Sequence, residues 1–128
     1  MTPSILIVED DEALRSTLAR HLRAHSYEVI EAETAEGAIA ALAEGLRPGL
    51  VILDINLPGD TGWSLIRDPA LAAAGDPPVV VATATTINPS RLREYNVAGY
   101  LPKPFPLETL VSTIERLLPS KEAQTKDD

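Results

Sequence analysis

The sequence predicts a single α/β domain, a parallel sheet of five strands wound on both faces with helices. Three observations carry this. Short apolar runs rich in β-branched residues alternate five times with helical stretches. The runs at 4–8, 50–53 and 79–82 are continuous rather than alternating in polarity, as strands buried on both faces must be. A chain of 128 residues accommodates one such core and leaves no room for a second of similar size.

The first strand is Ser4-Ile5-Leu6-Ile7-Val8. A helix follows from about Asp11 to Ala24, with Leu14, Leu18 and Leu22 a turn apart on one side. Tyr27 to Ala32 reads as the second strand. Ala35 to Glu44 reads as the second helix, with Ile39 and Leu42 inward and Gly45 as its stop. Leu50 to Leu53 is the third strand, ending at Asp54. Pro58 to Gly62 is a loop of turn residues, and a short helix from about Trp63 ends near Asp68-Pro69. Val79 to Ala82 is the fourth strand. Asn88-Pro89 supplies an N-cap and first helical residue for a short fourth helix to about Asn96. Gly99 to Leu101 is a brief fifth strand, expected to end before Pro102, which has no N–H to give a ladder. Pro106 opens the last helix, with Leu107, Leu110, Val111, Ile114 and Leu117 inward. Residues 1–118 form the predicted domain; residues 119–128 are expected to be a polar tail or the start of a linker.

Composition excludes several function classes. There is no cysteine, so disulfides, thiolate metal sites and a cysteine nucleophile are ruled out. The net charge of -8 disfavours direct contact with nucleic acid or anionic lipid. No stretch approaches the roughly 20 apolar residues of a membrane span. The apolar start is too short, and lacks the basic leader, for a secretory signal. A cytoplasmic location is expected.

In an open parallel sheet, ligands sit beyond the carboxyl ends of the strands. The polar residues at those ends are Glu9, Asp10 and Asp11 after the first strand, Asp54 after the third, Thr83 after the fourth and Lys103 after the fifth. Carboxylates without soft ligands suit a hard cation, magnesium above all. An ammonium and a hydroxyl can then hold the oxygens of a phosphoryl group, whose transfer depends on positioning and charge neutralisation. An aspartate carboxylate is a competent nucleophile towards phosphorus. Each residue has an ordinary reading as well. The acids could favour a helix N-terminus, Asp54 could be a turn residue, Thr83 a strand-end hydroxyl and Lys103 a solvated lysine. It is their convergence on one sheet edge that points to chemistry.

Four motifs, together highly specific, resemble one known family: Ile-Leu-Ile-Val-Glu-Asp-Asp at 5–11, Val-Ile-Leu-Asp-Ile-Asn-Leu-Pro-Gly at 51–59, Thr83-Ala84, and Gly-Tyr-Leu-Pro-Lys-Pro-Phe at 99–105. Over about residues 4–118 the chain resembles the receiver domain of bacterial response regulators. The resemblance implies a flavodoxin-like fold with strand order 2-1-3-4-5. It implies Asp54 as phosphoacceptor, loaded by a sensor histidine kinase or phosphotransfer protein. It implies Mg2+, with Mn2+ as a substitute, held by Asp10 and Asp54 directly, by Glu9 through water and by the Asn56 backbone carbonyl. Lys103 would contact the phosphoryl oxygens, with a cis bond to Pro104. Thr83 and Tyr100 would form a coupled switch that reshapes the face made by the fourth helix, fifth strand and fifth helix. That face would serve an effector domain, a downstream protein or a phosphorylation-dependent dimer. Asn56 and Thr85 would tune the lifetime of the phosphorylated state. The segment from Thr83 to Tyr100 is shorter than the family pattern, so a brief fourth helix is expected. Thr61 stands where the family commonly has aspartate.

His21 and His25 are one turn apart on the first helix but have no third ligand in sight, so they read as surface positions. Arg47, Arg91 and Arg93 are scattered and imply no nucleic-acid groove. Trp63, the only tryptophan, is expected to report ligand binding near Asp54. Two other functions compete with the phosphoacceptor: a phosphate-independent interaction module of the same fold, and an aspartyl phosphatase. Asn56 stands where a phosphatase would need a second acid. The chain is therefore read as no conventional enzyme, only as a catalyst of its own phosphorylation and slow dephosphorylation.

Overall fold

Backbone pairing unites the five apolar runs into one parallel sheet. The computed structural model describes residues 4–59 and 61–118. The strands are β1 (Ser4–Val8), β2 (Glu28–Ala32), β3 (Leu50–Leu53), β4 (Val79–Thr83) and β5 (Gly99–Pro102). Their order is β2-β1-β3-β4-β5, as the resemblance implied. The helices are α1 (Glu12–Ala24), α2 (Ala35–Ala43), α3 (Gly62–Arg67), α4 (Pro69–Ala73), α5 (Pro89–Glu94) and α6 (Leu107–Leu117).

Alternation along each strand divides the core into two layers. Ile5, Ile7, Leu50, Ile52 and Val80 face α1 and α6, meeting Leu18, Leu22, Leu110 and Ile114. Leu6, Val8, Val51, Leu53 and Val81 face the other way, meeting Ala38, Leu42, Leu65 and Leu71 from α2, α3 and α4. β1, β3 and β4 have almost no exposed side chain, which is why they read as unbroken apolar runs.

Side chains cap the helix N-termini. Asp11 Oδ1 accepts from the Leu14 amide, Thr34 Oγ1 from Gly37, and Asn88 Oδ1 from Ser90, at 2.9–3.0 Å. Gly45 follows α2 at φ 117°, a backbone setting that favours glycine.

Three local readings change. β2 begins at Glu28 rather than Tyr27, because the Tyr27 amide still bonds the Leu22 carbonyl of α1. The third helical segment is two helices: Asp68 does end α3, but its Oδ1 also accepts from the Ala70 amide at 2.9 Å with Pro69 as first helical residue. The stop signal is thus also a start signal. β5 extends to Pro102, paired with Thr83. The bond at that register comes from the Lys103 N–H to the Thr83 carbonyl, 2.9 Å, so the proline's missing N–H is not needed. The fourth helix of the repeat, α5, is brief as expected and buries no residue. The segment 119–128, expected as tail or linker, lies outside the described residues, as does Asp60.

Candidate functional site

The sheet order reverses direction at β1, whose neighbours are β2 and β3. A crevice forms at such a switch point, beyond the strand ends. Glu9 leaves β1 there and Asp54 leaves β3, each buried despite its charge (3% and 6% exposed). Among the described residues, Glu9, Asp10 and Asp54 form the one group of acids or imidazoles able to share a metal ion, their oxygens lying within 4.8 Å of one another.

Lys103 supplies the opposing charge. Its position follows from the ladder, because the bond from its own amide to Thr83 carries the chain past the β4 end. The peptide from Lys103 to Pro104 is cis. The ammonium Nζ donates to Glu9 Oε1 at 2.5 Å and to Asp54 Oδ2 at 2.9 Å. The other Asp54 oxygen, Oδ1, accepts from the Asn56 amide at 2.9 Å. Both oxygens of Asp54 are therefore held.

Burial pushes the Glu9 carboxyl above its usual range, and the Asp54 charge adds to this, outweighing its bonds to Lys103 and the Asp11 amide. For Lys103, burial by itself would lower the affinity for a proton. The hydrogen bonds to Asp54 and Glu9 and their charges reverse that and leave it raised, so the ammonium form persists at neutral pH.

Thr83 is wholly buried, and its Oγ1 accepts from the Thr85 amide at 3.3 Å. Asn56 Nδ2 donates to Thr85 Oγ1, and the half-buried Tyr100 donates its hydroxyl to the Thr85 carbonyl at 3.1 Å. Thr85 thus links the loop after β3, the end of β4 and the start of β5. An apolar groove of about 240 Å³, lined by Leu14, Leu18, Pro104, Phe105 and Leu107, borders Lys103.

All the sequence-predicted site residues gather at this edge. Glu9, Asp10, Asp54 and Lys103 form its centre; Asn56, Thr83 and Tyr100 join through the bonds just described. Asp11 does not enter the acid group and serves as the α1 cap. His21 and His25 pack ring to ring at 4.9 Å, with no third ligand among the described residues. Two contributors escaped the sequence reading. Gly62 presses against the loop after β3: a Cβ there would lie 2.7 Å from the Asp54 carbonyl oxygen and 2.9 Å from Ile55 Cα. Arg15 is buried beneath the acids. Its signal was available, since Arg15, Ala19 and Leu22 lie on one inward line of α1.

A five-stranded parallel sheet in this order, with acids, a lysine and a threonine beyond its strand ends, is the architecture of the doubly wound α/β class. The family model described as response regulator receiver domain matches residues 5–115, and the chain belongs to that family. Curated relatives include the uncharacterized transcriptional regulatory protein YvcP of Bacillus subtilis, 35% identical over 89% of this chain and 48% of its own length. Response regulator MprA of Mycolicibacterium vanbaalenii is 36% identical over 92% and 51%. The chain thus spans about half the length of the curated relatives it matches. Among solved structures, chemotaxis protein CheY4 of Vibrio cholerae superposes with a TM-score of 0.82 at 28% identity, covering 92% of this chain and 100% of that one. Response regulator TrrA of Thermotoga maritima, solved in complex with Mg2+-BeF, gives 0.79 at 29%, covering 91% and 100%. The chain is therefore a receiver domain of the two-component type, in a family where phosphorylation and Mg2+ binding are typical. No described helix is long and apolar enough to cross a membrane.

Proposed function

We propose that this chain takes a phosphoryl group from a phosphohistidine donor, a sensor kinase or phosphotransfer protein, onto Asp54. The observation that carries the reading is the holding of both Asp54 oxygens, one by Lys103 and one by the Asn56 amide, beside two further carboxylates. A carboxylate oxygen of Asp54 forms the new bond to phosphorus. The bond from phosphorus to the donor's imidazole nitrogen breaks, and that nitrogen leaves with the electron pair. Water later attacks phosphorus and returns the carboxylate and free phosphate. The chain acts on itself and turns over no separate substrate.

The donor set fits a hard divalent cation. It offers carboxylates only, with neither cysteine in the chain nor histidine in the group. Glu9, Asp10, Asp54 and the Asn56 backbone carbonyl would hold Mg2+, or Mn2+ in its place. When bound, such an ion neutralises charge on phosphoryl oxygens. Lys103 holds Asp54 in position and supplies a cation to those oxygens. The Thr83 hydroxyl accepts from Thr85 and keeps its own proton to donate to the phosphoryl group. Its movement would free Thr85 and, through it, Tyr100, reshaping the α5-β5-α6 face for an effector domain, a downstream protein or a second phosphorylated copy. The relatives' greater length supports output through a further region beyond residues 1–118. The groove beside Lys103 is apolar and lies on the rim a donor must approach, which suits the phosphohistidine-bearing helix of a cytoplasmic kinase.

The test is intact-protein mass after incubation with a small phosphodonor and Mg2+. One added phosphoryl group, dependent on Mg2+ and absent in Asp54→Asn, is expected. A folded chain that gains no mass while a control receiver does would shift the reading to a phosphate-independent interaction module.

A further inference from the structure

We propose that Arg15 is a positioning residue for the acid pair, acting through the Glu9 backbone rather than on any ligand; the inference rests on the phosphoacceptor reading above. Among the described residues four polar or charged side chains are buried: Glu9, Arg15, Asp54 and Thr83. Arg15 is the one cation among these, and none of its bonds goes to a carboxylate of the site. Its Nη1 donates to the Glu9 carbonyl oxygen at 2.9 Å. Its Nε pairs with Glu31 Oε1 at 3.2 Å, and its Nη2 lies 3.7 Å from Glu33 Oε1.

These contacts close a ring around the backbone of one residue, Glu9. The Glu9 amide donates to the Ala32 carbonyl at 3.0 Å, and Ala32 lies between the two glutamates that hold Arg15. The N–H of Glu9 is thus fixed by the end of β2, and its carbonyl by a guanidinium anchored to that same end. The amide bond fixes the peptide entering Glu9, and the Arg15 bond to the carbonyl sets the orientation of the peptide that joins Glu9 to Asp10. Both proposed metal ligands are carried on that peptide. Glu31 is in turn held by Arg23, whose Nη2 reaches Glu31 Oε2 at 3.3 Å and the Val29 carbonyl at 3.0 Å.

The residue type follows from this geometry. The planar fork of arginine gives one group to a carbonyl and others to carboxylates on the opposite side. A lysine offers a single nitrogen to span the same partners. A buried cation also needs compensating charge, which Glu31 and Glu33 provide without drawing on the acids of the site.

The test compares wild type with Arg15→Lys and Glu31→Gln. Mg2+ affinity by calorimetry, Mg2+-dependent phosphorylation and urea unfolding without Mg2+ are measured on each. Arg15→Lys is expected to weaken Mg2+ binding about tenfold, as loss of a group that orients metal ligands does, and to slow phosphorylation in step. Glu31→Gln, further from the site, should move both in the same direction by less and serves if Arg15→Lys does not fold. If both variants are merely less stable and bind Mg2+ like wild type, Arg15 is a structural tie and the proposal fails while the phosphoacceptor reading stands. If wild type itself neither binds Mg2+ nor gains a phosphoryl group, that reading fails and the proposal with it.

Discussion

Replacing Lys103 with methionine tests the centre of the site, because two measurable quantities should move in opposite directions. Methionine keeps the apolar length of the side chain and removes the charge. The lysine side chain is 18% exposed, while those of Glu9 and Asp54 are 4% and 8%. At an effective dielectric constant of about 20, each contact of 2.5–2.9 Å represents about 6 kcal/mol of gross attraction, most of it offset by desolvation. Removing one partner of a buried pair destabilises by about 3–5 kcal/mol. The rim position of Lys103 puts the expected loss near the lower end, about 3 kcal/mol. At about 4 °C per kcal/mol for a domain of this size, Tm without Mg2+ should fall by about 12 °C. Mg2+ affinity should rise, since Glu9 and Asp54 no longer share their oxygens with an ammonium; tenfold corresponds to about 1.4 kcal/mol. Phosphorylation from a small donor should nevertheless slow. Thermal unfolding with and without Mg2+, calorimetry and phosphorylation rates read all three. An unchanged Tm together with an unchanged Mg2+ affinity would refute the double ion pair. Normal phosphorylation would refute the role given to the ammonium.

Other perturbations reach neighbouring parts of the site. Gly62→Ala places a Cβ against the backbone of Asp54 and Ile55, where nothing flexible can yield; a loss of about 1–3 kcal/mol is expected in urea unfolding, with slower phosphorylation, and wild-type behaviour would refute the close approach. Mg2+ binding should weaken as pH falls, beginning above the ordinary glutamate range, because burial raises the Glu9 carboxyl and the cation needs it ionised; an affinity that stays flat through the ordinary glutamate range would exclude Glu9. Trp63 packs on Tyr95 at 4.5 Å and under Arg91 at 5.0 Å, so its emission should change when Mg2+ and beryllofluoride load the site, and saturation without change would exclude any such coupling. In the full chain, Phe105→Ala should slow transfer from a protein donor while leaving a small phosphodonor unaffected; equal slowing of both would remove the donor from the groove.

Strand identity and the central acids were legible because burial on both faces leaves no alternative to continuous apolar runs, and ligands of such sheets must sit at strand ends. What the sequence concealed involved single residues serving two neighbours. Asp68 ends one helix and caps the next. Pro102 breaks no ladder because the bond belongs to Lys103. Gly62 reads as a turn residue, yet the demand on it comes from a backbone in contact across the loop. Arg15 looks like a surface cation until its line with Ala19 and Leu22 is traced inward. The Asp68 cap is local, a bond two residues along, whereas the roles of Pro102, Gly62 and Arg15 depend on tertiary contacts that local propensity does not encode.

The same contacts indicate which element can respond to the site. α5 buries no residue, so displacing it exposes little apolar surface. It is held instead from outside, by Tyr95 packed at a tilt on Trp63, by Arg91 over that ring and by the exposed Arg67–Glu94 pair at 3.4 Å. An exposed pair of this kind contributes about 0–1 kcal/mol, and an aromatic pair about 0.5–1.5 kcal/mol. By contrast, α1, α2 and α6 each place several buried side chains in the core. A change of a few kcal/mol at Thr83 and Thr85 is therefore comparable to what holds α5 and small beside what holds the other helices. The ladder bond from Lys103 to Thr83 passes that change to β5 as well. On these magnitudes, α5 and the adjoining edge of the sheet are where the proposed phosphorylation would be read.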